Sequence, residues 1–306
     1  MPRDCFAMPV PFSDGTAAPR QALPAGACDA HVHLYDHRYP AAPGATLRPP
    51  DASAQDYRAL QQRLGTVRTV LVTPSTYGAD NRCLLEGLAA LNAPGLDARG
   101  VAVIDGTETD AQLAPLHAAG VRGVRLNLSL GVTGTVDAIE PLAHRIAPLG
   151  WHLQLLMAPD LLASLGAVLR RLPVPLVFDH FGRIAPAQAG RHPAHVLLLQ
   201  LLDEGRAWIK LSGGYLVSAL HSVEDPTLDA LAASYLRCAP ERVLWGSDWP
   251  HATASAGMQA LPDDARQVDR LIDWTEQAGG AATLQRVLVD NPQQLYGFAP
   301  ATPTVP

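Results

Sequence analysis

The sequence predicts a single distorted (β/α)8 TIM barrel. Short apolar runs rich in β-branched residues alternate with longer helical patterns, and there are eight such runs. Most of them are about 20 to 40 residues apart, which is the size of one strand-helix unit. Continuous apolar runs are typical of parallel strands that are buried on both faces. A doubly wound open sheet is the alternative, but no glycine-rich phosphate loop follows the first run.

The strands and helices are predicted from two different periodicities. The apolar runs predict strands at Cys28–Leu34, Val67–Thr73, Gly100–Ile104, Val121–Leu126, His152–Met157, Leu176–Asp179, Ala207–Leu211 and Val243–Trp245. Apolar residues at three- and four-residue spacing predict helices at Asp56–Leu64, Asp80–Leu91, Asp110–Ala119, Pro159–Leu172 and Asp263–Ala278. Several of these helices open with Asp, a residue that favours a helix start.

The two ends of the chain are predicted to lie outside the barrel. Residues 1–26 are rich in Pro, Ala and Gly and show no sustained period, so we expect an irregular N-terminal arm. The barrel is expected to span residues 27–298, and residues 299–306 form a C-terminal tail. A second proline-rich stretch, between Tyr39 and Asp51, is predicted to be a loop.

Composition excludes several classes of function. The 306 residues are 48% hydrophobic and 17% charged, with a formal net charge of -6 and no basic block, so nucleic acid is not an expected partner. No apolar run approaches the roughly 20 residues of a membrane span, and no secretory signal pattern opens the chain. The four cysteines form no CxxC pair, which indicates reduced thiols and a cytoplasmic protein. Nothing in the pattern indicates an oligomeric state.

Three histidines and one aspartate stand at predicted strand ends. His31 and His33 lie at the end of the first strand with i, i+2 spacing, so they point to one face. His180 follows the sixth strand and Asp248 follows the eighth. Because chemistry in such barrels gathers at the C-terminal ends of the strands, we expect these four to meet at one mouth. A buried core imidazole for His180 and a helix cap for Asp248 are the alternatives.

Further polar residues stand at the same ends. Those predicted to contact a substrate are Ser75, Tyr77, Arg125, Asn127, Arg183, Tyr215 and His251. Asp179 is expected to point away from His180, since neighbouring strand residues face opposite sides. Lys210 is equally consistent with a structural ion pair and with a functional role.

Five segments together resemble the amidohydrolase superfamily. They are Asp29–His33, Val121–Asn127, Phe178–Arg183, Trp245–His251 and Asn291–Phe298. The resemblance covers about residues 24–298 and is strongest to the amidohydrolase-2 branch, which includes 2-pyrone-4,6-dicarboxylate lactonase, sulfomuconolactone hydrolase, fuconolactonase and galactarolactone isomerase.

The resemblance implies a hydrolase that opens a small carboxylate-bearing lactone of the sugar-acid, muconate or pyrone type, as in catabolism. It implies that Asp248 is the general base, that His31, His33 and His180 position water or polarise the carbonyl, and that Arg125, Asn127 and Arg183 hold a substrate carboxylate. The loops at 128–131 and 214–217 lack the additional arginines of the pyrone-dicarboxylate enzymes, which argues against a second clamped carboxylate.

The alternatives within this fold are a lactone isomerase, a zinc enzyme and a binding barrel without catalysis. Residues 39–41 and 262–266 resemble galactarolactone isomerase, but the complete His-x-His pair and the strand-8 aspartate favour hydrolysis. A binuclear site is not expected, because Gln154 on strand 5 is a poor zinc ligand. We expect no cofactor; one Zn²⁺ or another divalent cation held by His31, His33 and Asp248, as in a mononuclear hydrolase or decarboxylase, is the alternative.

Overall fold

The eight strands of the barrel are parallel and pair in chain order. The computed structural model describes residues 9–129 and 134–300. The strands are β1 Cys28–Val32, β2 Arg68–Val72, β3 Asp97–Ala102, β4 Val121–Asn127, β5 His152–Leu156, β6 Leu176–Phe178, β7 Ala207–Leu211 and β8 Val243–Trp245. The predicted (β/α)8 barrel is confirmed, and β7 and β8 have the predicted bounds.

Helices connect successive strands and surround the barrel. They are α1 Ala54–Leu64, α2 Arg82–Leu91, α3 Asp110–Ala118, α4 Ile139–Ile146, α5 Pro159–Ser164, α6 Gly166–Arg171, α7 Pro193–Asp203, α8 Leu228–Cys238, α9 Ala252–Ser255, α10 Asp264–Glu276, α11 Ala281–Gln285 and α12 Asn291–Tyr296. The helix predicted at 159–172 is divided in two at Leu165. The predicted set does not contain α4, α7, α8, α9, α11 and α12. Within the described ranges, no helix is both long and apolar enough to cross a membrane.

Two apolar clusters lie on the two sides of the strands. The barrel interior holds one cluster, which Tyr296 and Phe298 join after the last strand. A larger cluster fills the layer between the strands and the surrounding helices. Because successive strand side chains point to opposite faces, each strand contributes to both layers. The strands are therefore held from both sides, which gives their C-terminal ends fixed positions.

The seam between β8 and β1 is closed by residues at the mouth of the barrel. The amide of Asp248 donates to the carbonyl of His31 at 2.9 Å, and the amide of His33 donates to the carbonyl of Trp249 at 2.8 Å. A side chain at Gly246 would prevent this approach, since its Cβ would lie 2.5 Å from His31 Cβ. The closure of the barrel thus sets the distance between His31 and Asp248.

The described part of the N-terminal arm packs beside this seam. The indole of Trp249 donates to the Pro11 carbonyl at 2.8 Å, and the Phe12 ring lies edge-on to it at 5.7 Å. Arg20 pairs with Asp273 of α10. Residues 1–8 of the arm, residues 130 and 131 after β4 and residues 301–306 of the tail lie outside the described residues, and the division at 27 and 298 stays a prediction.

Candidate active site

Three imidazoles surround one carboxylate oxygen at the mouth of the barrel. The Nε2 atoms of His31, His33 and His180 lie 3.6, 3.8 and 3.8 Å from Asp248 Oδ1. All four side chains are buried. His33, His180 and Asp248 line a cavity of about 350 Å³, while His31 lies behind them. These four predicted residues are brought together in the structure.

Left-handed backbone conformations orient the site residues after β6 and β8. His180 has φ 49°, Arg183 φ 59°, Asp248 φ 68° and His251 φ 59°. Such values are uncommon for residues other than glycine and are often found at functional sites. Here they turn the chain sharply where each strand ends, so that polar side chains face inward.

The expectation that Asp179 points away from His180 is wrong for this reason. Asp179 is extended (φ -75°, ψ 152°) and shares the inner face with Val177, whereas His180, with φ 49°, departs from strand alternation and turns inward as well. Asp179 Oδ1 lies 3.3 Å from His31 Nδ1, and the rings of His31 and His180 are 4.8 Å apart. Asp179 and His180 therefore contact the same imidazole from two directions.

Asp179 is the centre of a buried polar network beneath the histidines. Its Oδ2 accepts from Arg125 Nε at 3.0 Å and from Gln154 Nε2 at 3.1 Å. Lys210 Nζ lies 3.7 Å from its Oδ1. Burial raises the pKa of Asp179, but His31 and the two cations outweigh it and hold the pKa well below its usual value. Burial lowers the pKa of Lys210 to about 8.

Asp248 is held from its other side by a tyrosine. Tyr215 Oη donates to Asp248 Oδ2 at 2.7 Å and lies 3.2 Å from His251 Nδ1. His251 Nε2 is 3.1 Å from Asp264 Oδ2. This chain of contacts fixes the plane of the Asp248 carboxylate and leaves Oδ1 directed towards the three imidazoles.

The protonation states suit a carboxylate base. Burial raises the pKa of Asp248, but His180, His31 and His33 overcome this effect and bring it below its usual value. Burial lowers the pKa of His33 to about 4, and it also lowers the pKa of His31 and His180. At neutral pH the site therefore contains an ionised Asp248 facing neutral imidazoles.

The predicted substrate-binding residues fall into two groups. Ser75, Arg125, Asn127 and Arg183 line the cavity, and Asn127 Nδ2 donates to Ser75 Oγ at 2.9 Å. In the described part of the chain, Tyr215, His251 and Tyr77 are not among the lining residues. Tyr215 and His251 lie behind Asp248, as described above. The Tyr77 hydroxyl instead donates to the Asp36 carbonyl at 3.0 Å and accepts from its amide at 2.7 Å.

Several residues of the site were not singled out from the sequence. Ser212 Oγ lies 2.9 Å from His180 Nδ1, and Tyr35 lines the cavity beside His33. Asp264, the first residue of α10, is joined to the site through His251. Ser212 follows β7 directly, so its place at a strand end was a usable signal. Tyr35 stands three residues after β1, so the same signal applied to it, whereas Asp264 follows no strand end closely and offers no comparable signal.

The donor set fits one divalent cation in spacing but not in charge. His31 Nε2 and His33 Nε2 are 3.2 Å apart, and they lie 3.6 and 3.8 Å from Asp248 Oδ1, within the span of three ligands of one ion. However, the Lys210 ammonium lies 3.1 Å from the other nitrogen of His31. Arg125 and Lys210 already pair with the Asp179 carboxylate beneath the histidines, so a dication would stand beside two buried cations. The surroundings therefore disagree with a metal centre.

Comparison with known proteins identifies the family. The amidohydrolase family model (Amidohydro_2) matches residues 28–298. A 2-pyrone-4,6-dicarboxylate hydrolase of Comamonas testosteroni is 36% identical over 91% of this chain and 92% of its own length. A D-galactarolactone isomerase of Agrobacterium fabrum is 31% identical over 94% and 96%. An apo crystal structure from Agrobacterium tumefaciens has a TM-score of 0.81 and 30% identity, over 92% of this chain and 100% of its own. The chain belongs to the amidohydrolase family.

Proposed function

We propose that this protein hydrolyses a small lactone that carries a carboxylate, with Asp248 as the general base. The observation that carries the proposal is the position of Asp248, which lines the cavity with three imidazole Nε2 atoms at 3.6 to 3.8 Å from its Oδ1. These gaps are longer than a direct hydrogen bond and leave space for a reacting oxygen. The relatives named for a pyrone dicarboxylate and for galactarolactone support a lactone as the substrate class.

Asp248 would take a proton from water as the water oxygen attacks the lactone carbonyl. A carboxylate within reach of water contributes by general base catalysis, typically about 10²–10⁴-fold. The oxyanion that forms is stabilised by the N–H that an imidazole of the set presents to the cavity and by the nearby guanidinium of Arg125. The ring C–O bond then breaks, and the leaving oxygen takes the proton from Asp248. The product is a hydroxy acid, which ionises and releases one proton to solvent.

Arg183 is the group best placed to bind a substrate carboxylate. It lines the cavity, and none of the described residues forms a hydrogen bond or ion pair with its guanidinium. Burial lowers its pKa, while Asp248 opposes this effect. A half-buried guanidinium without a partner gains from a bidentate carboxylate. Ser75 and Asn127, on the same wall, would accept or donate hydrogen bonds to substrate hydroxyls.

A panel of lactones in H₂¹⁸O tests this function. The panel contains sugar-acid and muconate-type lactones in matched pairs with and without a free carboxylate, assayed with and without chelator. We expect proton release, one ¹⁸O in the product carboxylate and no effect of chelator. D248N should lose at least about 10²-fold in kcat. R183M should raise KM for the carboxylate-bearing member of each pair only. Full hydrolysis by D248N, or no turnover across the panel, would contradict the proposal.

Lactone isomerisation is the second candidate, and the relative named D-galactarolactone isomerase favours it. In that reaction a hydroxyl of the substrate attacks the carbonyl in place of water, and Asp248 would take the hydroxyl proton. The same assay separates the two reactions, because isomerisation gives a product of unchanged mass, without ¹⁸O and without proton release.

A further inference from the structure

Lys210 is the one lysine in the sequence, since the other 22 of the 23 basic residues are arginines. It lies on β7 and is fully buried inside the barrel, below the histidine pair. A fully buried lysine is rare unless it is paired. A chain that uses arginine for its other basic side chains thus places its single ammonium at the reaction centre.

The ammonium has two acceptors at hydrogen-bond distance, and a carboxylate oxygen without a hydrogen-bond partner of its own lies slightly farther away. Lys210 Nζ is 2.8 Å from Gln154 Oε1, 3.1 Å from His31 Nδ1 and 3.7 Å from Asp179 Oδ1. An ammonium only donates. His31 Nδ1 must therefore accept, and the proton of its neutral ring is on Nε2.

His33 has the opposite arrangement. Its Nδ1 is 2.7 Å from the Val72 carbonyl, which only accepts, so the His33 proton is on Nδ1 and its Nε2 has a free lone pair. The N–H at His31 Nε2 then points to His33 Nε2 at 3.2 Å and to Asp248 Oδ1 at 3.6 Å. The two histidines of the His-x-His pair are thus in different tautomers, and each is set by a partner outside the pair.

This tautomer also explains why the site does not suit a metal ion. A metal ligand must offer a lone pair, and His31 Nε2 carries a proton while Lys210 donates to Nδ1. The cation beside His31 and His33 is then the ammonium of Lys210.

We propose that Lys210 is a positioning residue whose ammonium fixes His31 in the Nε2–H tautomer. The Lys210 side chain thereby supplies the positive charge that a divalent ion would supply beside the histidine pair. The His31 N–H is thereby directed at Asp248 and the reacting oxygen. The consequence for turnover rests on the proposed lactone hydrolysis, but the tautomer and the metal affinity do not.

Nuclear magnetic resonance on the whole protein tests the tautomer directly. With ¹⁵N-labelled histidine, long-range ¹H–¹⁵N correlation spectra identify the protonated nitrogen of each ring, and H31Q assigns the His31 signals. We expect Nε2–H for His31 and Nδ1–H for His33 at neutral pH. Because the chain has one lysine, [ε-¹³C]lysine labelling gives one lysine side-chain signal, and its shift should report an ammonium. His31 protonated at Nδ1, or a neutral amine at Lys210, would overturn the proposal without any lysine variant.

The variant K210M, which keeps the length of the side chain, tests the consequences. Without the ammonium, His31 should move its proton to Nδ1 and donate to Asp179 Oδ1, now 3.3 Å away. Titration with Zn²⁺ should then show binding at least tenfold tighter than in the wild type. On a lactone that the panel identifies, kcat should fall about 10²-fold with little change in KM. L244M, on the neighbouring strand, is the control for altered packing. An unchanged His31 tautomer and unchanged zinc affinity in folded K210M would refute the proposal, whatever the activity.

Discussion

Replacing Gly246 by alanine should open the seam between β8 and β1. The added Cβ would lie 2.5 Å from His31 Cβ and 2.7 Å from the His31 amide nitrogen. Carbon atoms in contact are about 3.5–4.0 Å apart, so the strands must separate by about 1 Å. The atoms in the way are the backbone and the Cβ of His31, and no side-chain rotation can move them. The hydrogen bond from the Asp248 amide to the His31 carbonyl, 2.9 Å long, would then be lost.

We expect the G246A substitution to affect stability and activity together. Overpacking of this kind costs about 1–3 kcal/mol of unfolding free energy. A displacement of about 1 Å between the base and its partners can cost about 10²-fold in rate. Denaturant unfolding gives the first quantity, and kcat on an accepted lactone gives the second.

The matched control is G166A. Gly166 opens α6, and its added Cβ would meet only the end of the Leu197 side chain, at 3.3 Å and 3.4 Å, and the end of Arg170 at 3.6 Å. Alanine in a helix is favoured over glycine by about 0.5–1 kcal/mol, so this variant should be as stable as the parent or slightly more stable, with unchanged kcat. If G246A and G166A behave alike in both measurements, the seam does not set the distance between His31 and Asp248.

Three further outcomes are expected. Y215F should lower kcat about 10-fold or more, because a hydrogen bond to a charged group contributes about 1.5–3 kcal/mol; an unchanged kcat would show that Tyr215 does not hold Asp248. The pH profile of kcat/KM should stay flat from neutrality to about pH 5 and fall near pH 4, since the pKa of Asp248 lies below its usual value and His33 gains a proton only at about 4; a fall near pH 6.5 would contradict this. Removing residues 1–12 should destabilise the protein by about 1–3 kcal/mol, because the Trp249 indole loses its acceptor; an unchanged denaturation midpoint would refute a structural role for this segment.

The fold and the four central residues could be predicted because the periodicity of the strands is visible in the sequence, and the geometry of a barrel then brings the strand ends together. His31, His33, His180 and Asp248 each lie at or just after the end of an apolar run, and parallel strands bring those ends to one mouth. The same reasoning located Ser75, Asn127 and the two cavity arginines, which also lie at or after strand ends.

The buried network could not be predicted, because it depends on the exact residue at which a strand ends. Strand alternation predicts that Asp179 and His180 point to opposite sides, whereas the left-handed His180, with φ 49°, turns inward beside the extended Asp179. Gln154 was considered only as a metal ligand, although its amide joins Lys210 to Asp179. Tyr77 follows β2 closely, yet its hydroxyl holds the Asp36 backbone, a contact that arises from the fold of the loop.

The first and the last strands of the barrel meet where the proposed chemistry takes place. His31 and His33 are synthesised long before Asp248, so a nascent chain has no base until the eighth strand has emerged and docked. Two fragments divided in an exposed connection between β1 and β8 would each hold only part of the catalytic set. Turnover by the recombined halves would therefore report assembly of the complete barrel.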